Sequence, residues 1–296
     1  MLRLRSAHSE TPPVAGVPAQ RRRRHAAGDD GRRVWGLRPV TVVGLIATLA
    51  VISIVLTVTA IRVVGRSGPD LSPRPPLPAD ASSVPLARPA TAPAGRGGFR
   101  FLGVQDDASG RPVRWDPCRP IHWVLRADGA PPQGEAAVRT AIARIEQLTG
   151  FRFVYDGVTA EAPRPERPAM DPRRYGWRWS PVLVAWTDPD EYSEMSGYAG
   201  LAGPNPVAGD QRGTQRYVSG VVLLNRKYLG DLIDWPDGRR RMDAVVTHEF
   251  GHLAGLDHVD DPHELMFRRP TDAGELGDGD RRGLAALSGG PCFRDF

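Results

Sequence analysis

Apolar residues are spaced in different ways along this chain, and each spacing predicts a different kind of element. Residues 40–61 read VTVVGLIATLAVISIVLTVTAI, uncharged and with no polar face. A helix rising about 1.5 Å per residue over that length covers the roughly 30 Å hydrocarbon layer of a bilayer, so a transmembrane helix is expected. Its β-branched residues do not oppose this, because lipid offers the backbone no other hydrogen-bond partners. Residues 62–98 have no apolar period. Prolines recur there at 69, 73, 75, 76, 78, 85, 89 and 93, and such a segment buries too little to offset its ordering entropy. A disordered Pro-rich stalk is expected.

From residue 99 to residue 296 the spacing becomes that of a folded domain. Ile121-His122-Trp123-Val124-Leu125 predicts a strand, as do residues 151–155, 181–186 and 219–224. Val138, Ile142, Ile145 and Leu148 fall at helical spacing within residues 135–149, and Gly150 suits the C-cap. The Gly/Pro-rich stretch GYAGLAGPNPVAG leaves room for a short edge strand, and a second helix is expected over residues 237–255. The order β-α-β-β-β-α predicts an α/β sandwich with a mixed sheet, an α+β domain.

Charge sharpens the division. The net charge is +5, yet residues 1–39 alone hold nine arginines against three acidic residues, which leaves the remainder close to neutral. The basic balance therefore belongs to a tail expected to be disordered, and no field of one sign gathers nucleic acid on the domain. The arginines before residues 40–61 predict a cytoplasmic N-terminus and an extracytoplasmic domain, by the positive-inside rule. The alternative is secretion after signal cleavage near Val58-Thr59-Ala60. Only two cysteines occur, Cys118 and Cys292; a bridge between them is expected if that side of the membrane is oxidising, though spacing alone does not show it.

The chemistry lies in residues 237–255. On a helical wheel with His248 at zero, His252 falls at about 40° and Glu249 at about 100°, while Met242, Val246, Phe250 and Leu253 fill the arc from about 120° to about 200°. One face is core, and the stripe beside it presents two imidazoles one turn apart, the separation that lets both reach a single metal ion. Gly255 permits the left-handed turn that ends a helix, so His258 can return beneath it as third ligand. Three neutral imidazoles leave a tetrahedral zinc one open position, the arrangement of a catalytic site. Glu249 then stands as general base. His263 lacks ligand spacing and is expected at the surface.

HEFGHLAGLDH, followed by Glu264-Leu265-Met266, resembles the metzincin zinc metallopeptidases and most closely their matrixin-like branch. The resemblance implies a Met-turn at Met266, an edge-strand peptide site near residues 197–203, a pocket walled by residues such as Phe267 and Pro270, and a closing helix near residues 280–288. It has departures. Val259 replaces the usual serine, Arg268 stands where some members have tyrosine, no histidine lies between His122 and His248 to hold a second zinc, and no cysteine-switch prosegment is present.

The expected activity is metal-assisted hydrolysis of peptide bonds in extracytoplasmic proteins or peptides by a membrane-anchored zinc endopeptidase. The rival readings are a non-catalytic zinc-stabilised binding module and a zinc amidase acting on a cell-wall component. Acidic residues within 187–194, or Asp260 and Asp261, suggest either calcium binding or a solvated loop.

Overall fold

The computed structural model describes residues 74–88, 91–164, 166–209, 214–269 and 274–293. The predicted tail and the span at residues 40–61 lie outside them; no helix among the described residues is long and apolar enough to cross a membrane.

The elements run β1 (Arg100–Phe101), β2 (Ile121–Arg126), α1 (Gly134–Thr149), β3 (Phe153–Val158), α2 (Pro172–Tyr175), β4 (Val182–Thr187), β5 (Gly200–Ala208), β6 (Gln215–Asn225), α3 (Arg226–Ile233), α4 (Gly238–Ala254), β7 (Leu256–Asp257) and α5 (Asp278–Leu287). Five strands form one mixed sheet in the order β3-β2-β4-β6-β5. β3, β2, β4 and β6 are parallel, and β5 closes the edge antiparallel to β6. A separate ribbon pairs β1 with β7, tying Phe101 to Leu256 just beyond α4. The chain is an α+β protein.

Helices α1 and α4 cover one face of the sheet. Ala137, Val138, Ala141, Ile142 and Ile145 on α1 meet Met242, Val246, Phe250 and Leu253 on α4, over Trp123, Leu125, Val184, Trp186 and Leu224 of the strands. Gly150 at φ 72° ends α1 as its apolar period predicts. Along α4 burial continues round most of the circumference, His248, Glu249 and His252 included, so its polar stripe is enclosed and not set against water.

The other face is covered by loops. Val124, Leu183, Ala185, Leu201 and Leu223 meet Met195 and the side chains of Tyr175, Tyr192 and Tyr198. Arg167 pins one loop there. Its guanidinium meets Glu161 at 2.9 and 3.1 Å, the Pro181 carbonyl at 2.8 Å and Ser219 Oγ at 3.1 Å.

The stalk expectation needs correction over the described part of residues 62–98. Residues 74–88 lie against the domain. Ser82 and Leu86 donate backbone N–H groups to the carbonyls of Cys118 and Pro117 at 2.8 and 2.9 Å, Asp80 meets His122 Nε2 at 2.9 Å, and Pro75 is buried. Prolines hold the segment extended before it docks, which lowers the entropy lost on ordering. Nearby, Cys118 and Cys292 form a disulfide that ties the start of the sheet to the end of the chain.

Candidate metal centre

Two sequence features deliver the histidines. Helix α4 sets His248 and His252 one turn apart, and Gly255 ends it with φ 121°, its N–H reaching the carbonyls of Gly251 and His252 at 3.2 and 3.0 Å. That turn reverses the chain, and His258 arrives beside the other two. The three Nε2 atoms lie 3.1 Å (His248–His252), 3.3 Å (His248–His258) and 3.3 Å (His252–His258) apart. Nitrogens about 2.0–2.1 Å from a tetrahedral zinc stand about 3.3 Å from each other. The trio therefore fits one such ion.

The outer ring nitrogens fix the tautomers. His248 Nδ1 donates to the Leu265 carbonyl at 2.6 Å, and His252 Nδ1 to the Leu256 carbonyl at 2.8 Å. A proton held at Nδ1 leaves Nε2 with its lone pair turned inward. Burial lowers the imidazole of His248 to about 3, that of His252 well below its ordinary value and that of His258 to about 4. Neutral rings are the state in which imidazole binds metal.

Glu249 is fully buried, and among the described residues neither carboxylate oxygen has a hydrogen-bond partner. Burial raises it to about 7. A buried carboxyl without a partner is costly, and its place beside His248 suits a group whose partner arrives with the substrate. Strand β5 presses on it: a Cβ added at Gly200 would lie 2.6 Å from Glu249 Cγ. Among the described residues His248, His252 and His258 form a group able to hold a metal ion, and the donor set, spacing and tautomers fit zinc.

A turn beneath α4 supports the ligands. Met266 is buried with its Sδ 2.5 Å from where a Cβ on Gly251 would stand, and its carbonyl accepts Val259 N–H at 3.0 Å. Asp280, on α5, accepts Leu265 N–H at 2.6 Å and Gly277 N–H at 3.0 Å. In return Glu264 accepts the N–H groups of Gly279 and Asp280 at 3.0 and 2.9 Å. Sequence reasoning assigned no role to Glu264 or Asp280. The signal available was an acidic first turn in the closing helix, where a carboxylate meets unpaired N–H groups.

The remaining predicted residues fall as follows. Phe267 continues the turn and bridges to Val259, while Pro270 lies outside the described residues. His263 is exposed. His122 stands away from the trio, held by Asp80 and Asp156. Of the carboxylates named for calcium, three are ion-paired: Arg226 meets Asp188 at 2.7 Å and Glu191 at 3.4 Å, Arg126 meets Glu191 at 2.6 Å, and Arg268 meets Asp260 at 2.6 Å.

No protein-family model matches the chain, and no curated protein matches it. Among solved structures it is similar to the GM1-bound form of the ECX AB5 holotoxin, with 12% identity, a TM-score of 0.33 and coverage of 60% of this chain and 82% of that one. Archaemetzincin from Methanopyrus kandleri gives 17% identity, a TM-score of 0.31 and coverage of 55% and 87%. Metalloproteinase-II from Bacteroides fragilis gives 15%, 0.30, and coverage of 60% and 54%, so the match spans about half of that chain. These are loose superpositions.

Proposed function

We propose that the chain is a zinc-dependent endopeptidase, its metal held by His248, His252 and His258. The observation that carries this reading is the triangle of Nε2 atoms 3.1–3.3 Å apart beside the unpartnered carboxyl of Glu249. Zinc bound there supplies Lewis acidity toward a substrate carbonyl and toward water. Glu249 takes the proton from the attacking water and then gives it to the leaving amine. The Leu265 carbonyl holds His248 in place, and the outer edge of β5 aligns an extended peptide by backbone hydrogen bonds.

Membrane attachment through residues 40–61, with the domain outside the cytoplasm, belongs to the same proposal. It rests on the apolar run and the arginines before it. The Cys118–Cys292 bridge agrees with an oxidising compartment.

The test is Glu249→Gln in the full-length chain. Zinc should remain bound at one ion per chain while peptide cleavage falls by about 100-fold or more. Undiminished cleavage by the variant removes the mechanism, and a chain that binds zinc but cleaves no peptide in a broad library removes the activity.

A further inference from the structure

If the site cuts peptides as proposed, the outer edge of β5 decides which ones. Among the described residues β5 is the last strand of its sheet, so one side of it carries backbone groups with no described strand beside them. The register shows which residues face that side. Asn225 donates its N–H to the Ala199 carbonyl at 3.0 Å, which makes these two a hydrogen-bonded pair, and such pairs alternate with non-bonded ones along an antiparallel ladder. Leu201 and Gly203 therefore turn toward β6, opposite Leu223 and Val221, while Gly200, Ala202 and Pro204 turn their backbones outward. The register shifts between Asn205 and Pro206. Opposite Pro206, Tyr217 sends its N–H away from β5 to the Arg114 carbonyl at 3.0 Å, so Pro206 faces outward, and Ala208 with it.

Proline has no N–H to give. The outward edge offers both donor and acceptor at Gly200 and Ala202, beside Glu249, and then only carbonyls at Pro204 and Pro206. Past these, Arg74 closes the edge: its guanidinium donates to the Ala208 carbonyl at 2.6 Å and to the Gly209 carbonyl. Between Ala202 and the Arg74 cap at Ala208 the edge thus offers acceptors and no donors.

An added strand pairs more stably antiparallel than parallel. In that direction the residues before the cleaved bond run along Pro204 to Ala208. We infer that this is a peptidase for substrates with a short N-terminal side. A substrate strand pairs fully with Gly200 and Ala202, while residues more than about two positions before the cut meet acceptors without donors and form at most half of each bonded pair. Pro204 and Pro206 are the specificity-determining residues, and selection falls on distance from the substrate's N-terminus.

The experiment uses the zinc-loaded full-length chain and peptides with a constant C-terminal side, their N-terminal side lengthened residue by residue. Two quantities are read: kcat/KM of the unaltered chain, and peptide affinity of Glu249→Gln, which needs no turnover. Both should rise much less per residue beyond about two residues. Pro204→Ala, which restores one donor, should raise both for long peptides by about fivefold, the equivalent of one net hydrogen bond, and by much less for short ones. Pro206→Ala, at an exposed position, should act in the same way on still longer peptides. A steady rise with N-terminal length in the unaltered chain overturns the inference and leaves the peptidase reading standing, as does a proline variant acting equally on short and long peptides. Failure to cleave or bind any peptide overturns both.

Discussion

Asp280 and His248 are joined through one residue: Leu265 gives its N–H to the Asp280 carboxylate at 2.6 Å, and its carbonyl accepts from His248 Nδ1, also at 2.6 Å. A carboxyl on the closing helix thereby sets the orientation of a ring on the zinc helix. Replacing Asp280 with Ala should leave the Leu265 N–H buried and unpaired, at a cost of about 1–3 kcal/mol. With His248 less firmly held, zinc affinity should fall by about 10-fold or more. Chelator competition reads the affinity, and urea unfolding reads the stability.

The same carboxyl predicts a pH dependence. Burial first, and then the neighbouring Glu264, raise Asp280 from 3.8 to about 7. The folded chain therefore holds a proton there that the unfolded chain has released, in the window between those values. Stability contributed by this group is complete below about pH 4, declines as pH rises toward 7 and is gone above it. Asp280→Asn should lack this slope. Unfolding free energies of variant and parent across that window, in chelator, should differ by an amount that changes steadily with pH; a constant difference contradicts the assignment.

On the opposite face of the sheet, Arg167 and Glu161 are both nearly inaccessible. Arg167→Ala should leave the Glu161 carboxylate buried beside Tyr175 without its guanidinium, a loss of about 3–5 kcal/mol. Hydrogen exchange should quicken in residues 159–180, which the arginine holds to the sheet, and much less in α4. Equal loosening throughout would mean that Arg167 stabilises the whole unit and not that loop in particular.

The bridge between Cys118 and Cys292 spans 174 residues of sequence. Replacing both cysteines with Ala should cost about 3–5 kcal/mol, chiefly by releasing the unfolded chain. Zinc stoichiometry should stay the same, because neither cysteine belongs to the group formed by His248, His252 and His258. Paired melting curves and metal analysis separate the two effects.

The zinc helix was legible because its information is local: the wheel over residues 237–255 matches Gly238–Ala254, and Gly255 ends it in the conformation its lack of a side chain allows. The strands at residues 121–125 and 181–186 were legible for the same reason, being short runs of β-formers. Other features depend on distant partners. β6 begins at Gln215, earlier than the apolar run at Ser219, because Arg216 reads as loop and is nonetheless buried, its guanidinium 4.4 Å from the Phe293 ring. Helix α3 follows β6 directly; the Asn225 side chain accepts Tyr228 N–H at 3.1 Å as its cap, whereas the sequence reading used Asn225 only to end a strand. Residues 74–88 look unstructured by composition, and what orders them is contact with residues far along the chain. The pairing of Glu264 with Asp280 is hidden likewise, since neither side chain announces which backbone groups it will meet.

Gly200 leaves no space for even a methyl group between β5 and Glu249. The rail along which a peptide would slide and the group that would receive the water's proton are consequently one mechanical part. A shift in the rail is transmitted to the base, so tightening or loosening the edge should alter turnover and apparent affinity together, and alignment of the bound chain should itself trigger readiness for the reaction.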